Sequence, residues 1–144
     1  MHLNVTKHLT SMWIVQQLRE AFPFGSAPRF LIFDRDAKYG LEVSVAVRSL
    51  KMSPVRTSFE SPWQNAVAER WVESCRRDLD HIIALNEPHL KRVLTDYVGY
   101  YHDDRTHLGL GKGTPDDRIR AAALGRIVSH ERLGGLHHRY DRAA

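Results

Sequence analysis

Phe30-Leu31-Ile32-Phe33-Asp34-Arg35-Asp36 opens with four apolar residues and closes on two acids, the pattern of a buried sheet strand that delivers a carboxylate to the sheet's end. Further along, Ser61-Pro62-Trp63-Gln64-Asn65-Ala66-Val67-Ala68-Glu69-Arg70 reads as the start of a helix. Ser61 is expected to cap it, and Pro62 takes the first position, where its missing N–H costs nothing. Glu69 then falls in the second turn. Two carboxylates on two rigid supports can share a divalent cation, because magnesium demands oxygen ligands at fixed distances. Either acid alone is ordinary, since acids after strands cap turns and acids early in helices favour the dipole.

Working outward, Thr10 is a good N-cap, and Trp13, Ile14, Leu18 and Ala21 fall on one face of a helix that Phe22-Pro23-Phe24-Gly25 ends. Leu3-Asn4-Val5-Thr6 alternates like a strand or strand stub. Leu41 to Leu50 fits both periods, through Val43, Val45 and Val47 or through Val43, Ala46, Val47 and Leu50; helix is favoured. Val55 to Thr57 reads as a short strand. The helix from Pro62 is expected to run to about Leu85, with Val67, Trp71, Cys75, Leu79 and Ile82 as its apolar stripe and Glu69, Glu73, Arg76 and Asp80 on a polar side. A further helix is expected from Glu87 to His102, burying Leu90, Val93, Leu94, Tyr97, Val98 and Tyr101, followed by a turn-rich stretch from Asp103 to Pro115. The segment from Ile127 to Tyr140, with Gly134-Gly135 in its middle, permits a hairpin.

With 144 residues the chain is of single-domain length, and 42% hydrophobic with 26% charged residues argues against disorder. No apolar run approaches the roughly 20 residues a bilayer span requires. Met1-His2-Leu3-Asn4 lacks the features of a signal peptide, and the single cysteine, Cys75, excludes an internal disulfide; a cytoplasmic protein is the expectation. A pI near 9.5 and a net charge of +4 suit an anionic partner such as nucleic acid, and equally a merely basic soluble protein.

The segment from Asp34 to Tyr39, followed by Ser61-Pro62-x-x-Asn65-Ala66-x-Ala68-Glu69-Arg70, resembles the catalytic core of DDE transposases and retroviral-type integrases. Tyr101-x-x-x-Arg105-x-His107-x-x-Leu110 and Thr114-Pro115 add to the likeness, which spans roughly residues 2 to 118. The resemblance implies an α/β, RNase H-like fold, a mixed five-stranded sheet flanked by helices, with residues 1–118 as a partial catalytic core and 119–144 as a C-terminal extension. It implies Asp34 and Glu69 as the second and third catalytic acids and as ligands of Mg2+ or Mn2+. It also implies Arg76, Asn65, Arg70 and Trp63 as DNA-contacting residues. The reaction implied is strand transfer, in which a 3′-hydroxyl of a DNA end attacks a phosphodiester; the partners are mobile-element ends and target DNA.

Departures matter. The family's first acid belongs upstream of the segment matching Leu3 to Thr6, and the only acid before Phe33 is Glu20, late in a helix. The expectation is therefore a core lacking its first two strands and one ligand, inactive alone, with a homo-oligomer or complementing chain able to supply the rest. The alternative is a non-catalytic DNA-binding or interaction remnant of a transposase. Ala37 stands where a glycine is common in the family, and Thr106 where a proline is. Arg35, beside Asp34, would compete with a metal. Met12, Trp13 and Trp71 read as core, Cys75 as a buried small hydrophobe, and Trp63 stays open between core and base stacking. His137-His138 has no further ligand at zinc spacing; Arg132, Arg139 and Arg142 make that tail either a phosphate contact or a solvated end.

Overall fold

The computed structural model describes residues 1–119 and 124–143, so positions 120–123 and 144 of the expected extension lie outside the described residues. The chain divides into two compact units, Met1–His81 and Ile82–Ala144; the motif-based boundary at 118/119 falls inside the second.

The first unit is built around a βαβ arrangement preceded by a helix. Helix α1 spans Ser11–Ala21, strand β1 Phe30–Phe33, helix α2 Leu41–Ser49 and strand β2 Ser53–Arg56. Thr10 caps α1, its hydroxyl accepting from Trp13 N at 3.2 Å. Leu41 to Ser49 is helical because Val43, Ala46 and Val47 all turn into the core, while Val45, which a strand reading needs inside, is 54% exposed. Strands β1 and β2 pair in parallel, Phe30 opposite Ser53 and Phe33 opposite Arg56, with α2 as the crossover a parallel pair needs. Pro54 has no N–H to donate and sits in a strand with one hydrogen-bonded neighbour among the described residues, where it is tolerated. Val15, Phe33, Val43, Ala46, Val47 and Met52 form the core, with Ile14, Leu18, Leu31, Tyr39 and Leu50 packed around it.

Several expectations fail here for physical reasons. The strand read as buried shows only Phe33 buried; Phe30 and Ile32 are about half exposed because alternate side chains leave the face that Leu31 and Phe33 pack on the core. Where the resemblance implied a five-stranded sheet short of its first two strands, two two-stranded sheets stand among the described residues. Leu3 to Thr6 joins neither sheet and is held instead by Gln17, through Asn4 Nδ2 at 3.0 Å and the neighbouring His2 ring at 2.8 Å. Ser61 precedes a 3-10 turn, Pro62–Asn65, without capping it: its hydroxyl donates to Phe59 O at 3.0 Å. Helix α3 then covers Ala66–Leu79, ending six residues before Leu85. Asp80 places an acid at the unfavourable end of the helix dipole, and the β-branched pair Ile82-Ile83 follows. On its apolar stripe Cys75 is buried, yet Val67 is 86% exposed.

In the second unit, helix α4 runs Glu87–Gly99, capped by Asn86 through its side chain to His89 N at 2.8 Å, and passes into a π turn over Tyr100–Asp104. The expected helix to His102 therefore changes pitch at Tyr100. Tyr97 is its one fully buried residue; Leu90, Val93, Leu94, Val98 and Tyr101 are half-buried. Strands β3, Arg126–Arg132, and β4, His137–Ala143, pair antiparallel from Arg126 opposite Ala143 to Arg132 opposite His137. Leu133, Gly134 and Gly135 all take positive φ to close that hairpin. Asp104, 2% exposed, receives Arg118 at 3.2 Å, Arg132 at 2.5 Å and Arg139 at 3.5 Å. Together these helices and small sheets make an α/β fold.

Candidate functional site

Asp34 follows directly on β1, whose last residue, Phe33, is pinned in the core. Its Oδ1 accepts from Asp36 N at 3.0 Å, the turn-capping role such an acid ordinarily plays. Asp36 repeats the pattern one step on, accepting from Lys38 N at 3.0 Å, and its carboxylate meets Lys38 Nζ at 2.9 Å. That hydrogen bond to the ammonium holds the Asp36 carboxyl below the usual carboxylate range and pushes the Lys38 amine up. Asp36 is thereby paired with Lys38, whereas Asp34 forms no ion pair among the described residues; both acids line a cleft.

The cleft, about 350 Å³, is walled by Asp34, Arg35 and Asp36 from the end of β1, by residues 57–61 of the loop after β2, and by Asn65 and Glu69 from the start of α3. Asp34 and Glu69, far apart in sequence, thus line one cavity. Glu69 sits in the first turn of α3, and Asn65, at its N-cap position, makes no capping hydrogen bond. Arg35 is tethered within this wall, its Nε donating to Thr57 O at 2.9 Å, which ties the β1 end to the β2 end. Four carboxylates, of Asp34, Asp36, Glu60 and Glu69, face one guanidinium in this lining, so the cleft attracts cations.

Glu69 also lines a second, larger groove of about 750 Å³ along α3, with Trp63, Arg70, Glu73, Arg76 and Arg77. Arg76 shares this groove with Glu69 because seven residues are two helical turns. Arg77 is paired with Glu73 at 3.3 Å, whereas Arg70 and Arg76 form no ion pair among the described residues. Two guanidiniums without an ion pair among the described residues, beside an acid-lined cleft, suit contacts to phosphate. Trp63, open at the sequence level, is 69% exposed and so is not core.

Sequence reasoning missed Phe59, whose 76% exposure in the cleft wall no periodicity could announce. Among the described residues, no group of three or more His, Cys, Asp or Glu side chains is placed to hold a metal ion. His137 stacks on Tyr100 at 4.5 Å, a packing role. No helix of the described residues is long and apolar enough to cross a membrane.

No curated protein matches the chain. Asp34 lies upstream of the stretch that a family comparison does match, while Trp63, Asn65, Glu69, Arg70 and Arg76 all lie within it. Residues 50–115 match the family described as integrase core domain, and over that stretch the chain is similar to the catalytic core of integrases and transposases.

Proposed function

We propose that the chain acts in DNA integration or transposition, as an integrase-type core in which Asp34 and Glu69 share one divalent cation, Mg2+ or Mn2+. The observation that carries this reading is the common cleft lined by both carboxylates. Magnesium is commonly held by one or two carboxylates, with water and substrate phosphate completing its shell. Asp34 and Glu69 fit that requirement, and the surplus of acids in the cleft favours a cation there. A bound cation would offset phosphate charge and polarise the phosphodiester. Arg70 and Arg76 hold the flanking phosphates, Asn65 offers its amide to the strand entering the cleft, and Trp63 packs against the bases. Residues 1–118 serve as the core and 119–144 as an extension, in the cytoplasm.

Two-ion strand transfer needs more donors than this set offers. The chain alone therefore binds DNA and cation without joining strands, and turnover awaits a third acid from a second copy or another chain. The test is an oligonucleotide strand-transfer assay in Mg2+ or Mn2+, with Asp34→Ala as comparison. The expected result is product no greater than the variant's; abundant product that Asp34→Ala abolishes would contradict the proposed inactivity. DNA affinity that rises with added cation supports the integrase reading, and affinity indifferent to it favours a non-catalytic DNA-binding remnant.

A further inference from the structure

We infer that Phe59 and Trp63 are stacking platforms that select DNA whose terminal bases are unpaired, an inference that rests on the DNA-acting reading above. Phe59 is 76% and Trp63 69% exposed, and Glu69 belongs to the lining of each one's cavity. Phe59 stands in the cleft with Asp34 and Glu69; Trp63 stands in the groove with Glu69, Arg70 and Arg76. One exposed ring is ordinary surface. Two rings in adjoining cavities that share Glu69, each lined also by charged groups, suit a strand path past that residue.

The backbone keeps both rings in place. Thr57 N donates to Phe33 O at 3.1 Å, anchoring the loop to β1. Gln64 reaches back across the loop, its Oε1 accepting from Ser58 N at 2.7 Å and its Nε2 donating to Ser58 Oγ at 3.2 Å. Ser61 Oγ bonds Phe59 O at 3.0 Å, and Glu60 takes a left-handed φ of 52° to make the bend. Moving Phe59 into the core would break these bonds, so the ring is presented to solvent by construction. A closed duplex keeps its base faces stacked on one another and gives such rings nothing to cover. An unpaired base offers its full face, and stacking on aromatic side chains is tolerant of sequence because every base has one. Arg70 and Arg76, which form no ion pair among the described residues, supply the neighbouring phosphate contacts.

The test compares binding of the full chain to a blunt duplex and to the same duplex carrying a short single-stranded overhang, by fluorescence anisotropy at one fixed salt concentration. The native chain is expected to prefer the overhang by about tenfold. Phe59→Ala and Trp63→Ala should each cut that preference several-fold, and Trp63→Phe should restore most of it; circular dichroism checks that each variant is folded. Arg76→Ala should weaken both DNAs alike. Equal affinity for the two DNAs, or a preference untouched by both alanine variants while Arg76→Ala weakens binding, overturns the stacking role and leaves the DNA reading standing. No affinity for either DNA overturns both.

Discussion

Replacing Asp104 with asparagine removes one negative charge from a carboxylate that is 2% exposed and shared by three arginines. The shape is kept, so the loss is electrostatic. Removing one partner of a buried ion pair costs about 3–5 kcal/mol, because the other charge is left uncompensated. Here the guanidiniums of Arg118, Arg132 and Arg139 are 29%, 33% and 31% exposed, so water recovers part of that cost. Asparagine also retains an acceptor oxygen. The expected destabilisation is therefore about 2–3 kcal/mol, which for a chain of this length is a fall in Tm of roughly 6–9 °C. Thermal unfolding followed by circular dichroism reads it, and the deficit should persist at high salt, since a buried site is poorly screened. Glu73→Gln, which breaks the exposed Glu73–Arg77 pair, is the control and should stay within about 0.5 kcal/mol of the parent. An Asp104→Asn protein equally close to the parent would refute the claim that this carboxylate organises the second unit.

Acidification supplies a second prediction. The carboxyls of Asp36 and Asp141 are held below their ordinary values, by the Lys38 ammonium and by the Arg139 guanidinium respectively. Groups depressed on folding stabilise above their unfolded pKa, near 4, and lose that contribution as pH falls through the folded value. Urea midpoints should thus drop below about pH 4, and the double variant Asp36→Asn, Asp141→Asn should show a shallower acid limb; an identical limb would contradict the assignment. A third prediction concerns Cys75, which is 5% exposed with its thiol pushed up by burial and secondarily by Asp78. Iodoacetamide should label it slowly in the native protein and rapidly in urea, and fast native labelling would show that this face of α3 is not packed.

The βαβ core was readable because each of its elements carries its own periodicity. Thr10, the Val43-Ala46-Val47 face and the strand ending in Asp34 stand where their neighbours in sequence put them. What local pattern cannot show is whether a layer packs on each face of a given strand. Phe30-Leu31-Ile32-Phe33 has the composition of a strand covered on both faces, yet only the face of Leu31 and Phe33 packs on the core, and Phe30 and Ile32 meet solvent. The Asp104 network was equally out of reach, since its arginines lie 14, 28 and 35 residues away and nothing in spacing singles out Asp104 from Asp103 beside it. Asp34 and Glu69 emerged from motif resemblance, and the cleft they line follows from β1 and α3 being anchored in the same unit. Phe59 had no signal at all, because a lone aromatic in a polar loop looks the same whether it folds inward or out.

The most direct measurement is a Mn2+ titration of the full chain followed by electron paramagnetic resonance of the free ion. One bound ion is expected for the native protein, with affinity falling at least tenfold in Asp34→Asn and in Glu69→Gln and holding in Glu73→Gln, whose carboxylate lies outside the cleft. Binding that is the same in all four proteins would contradict the shared-cation account.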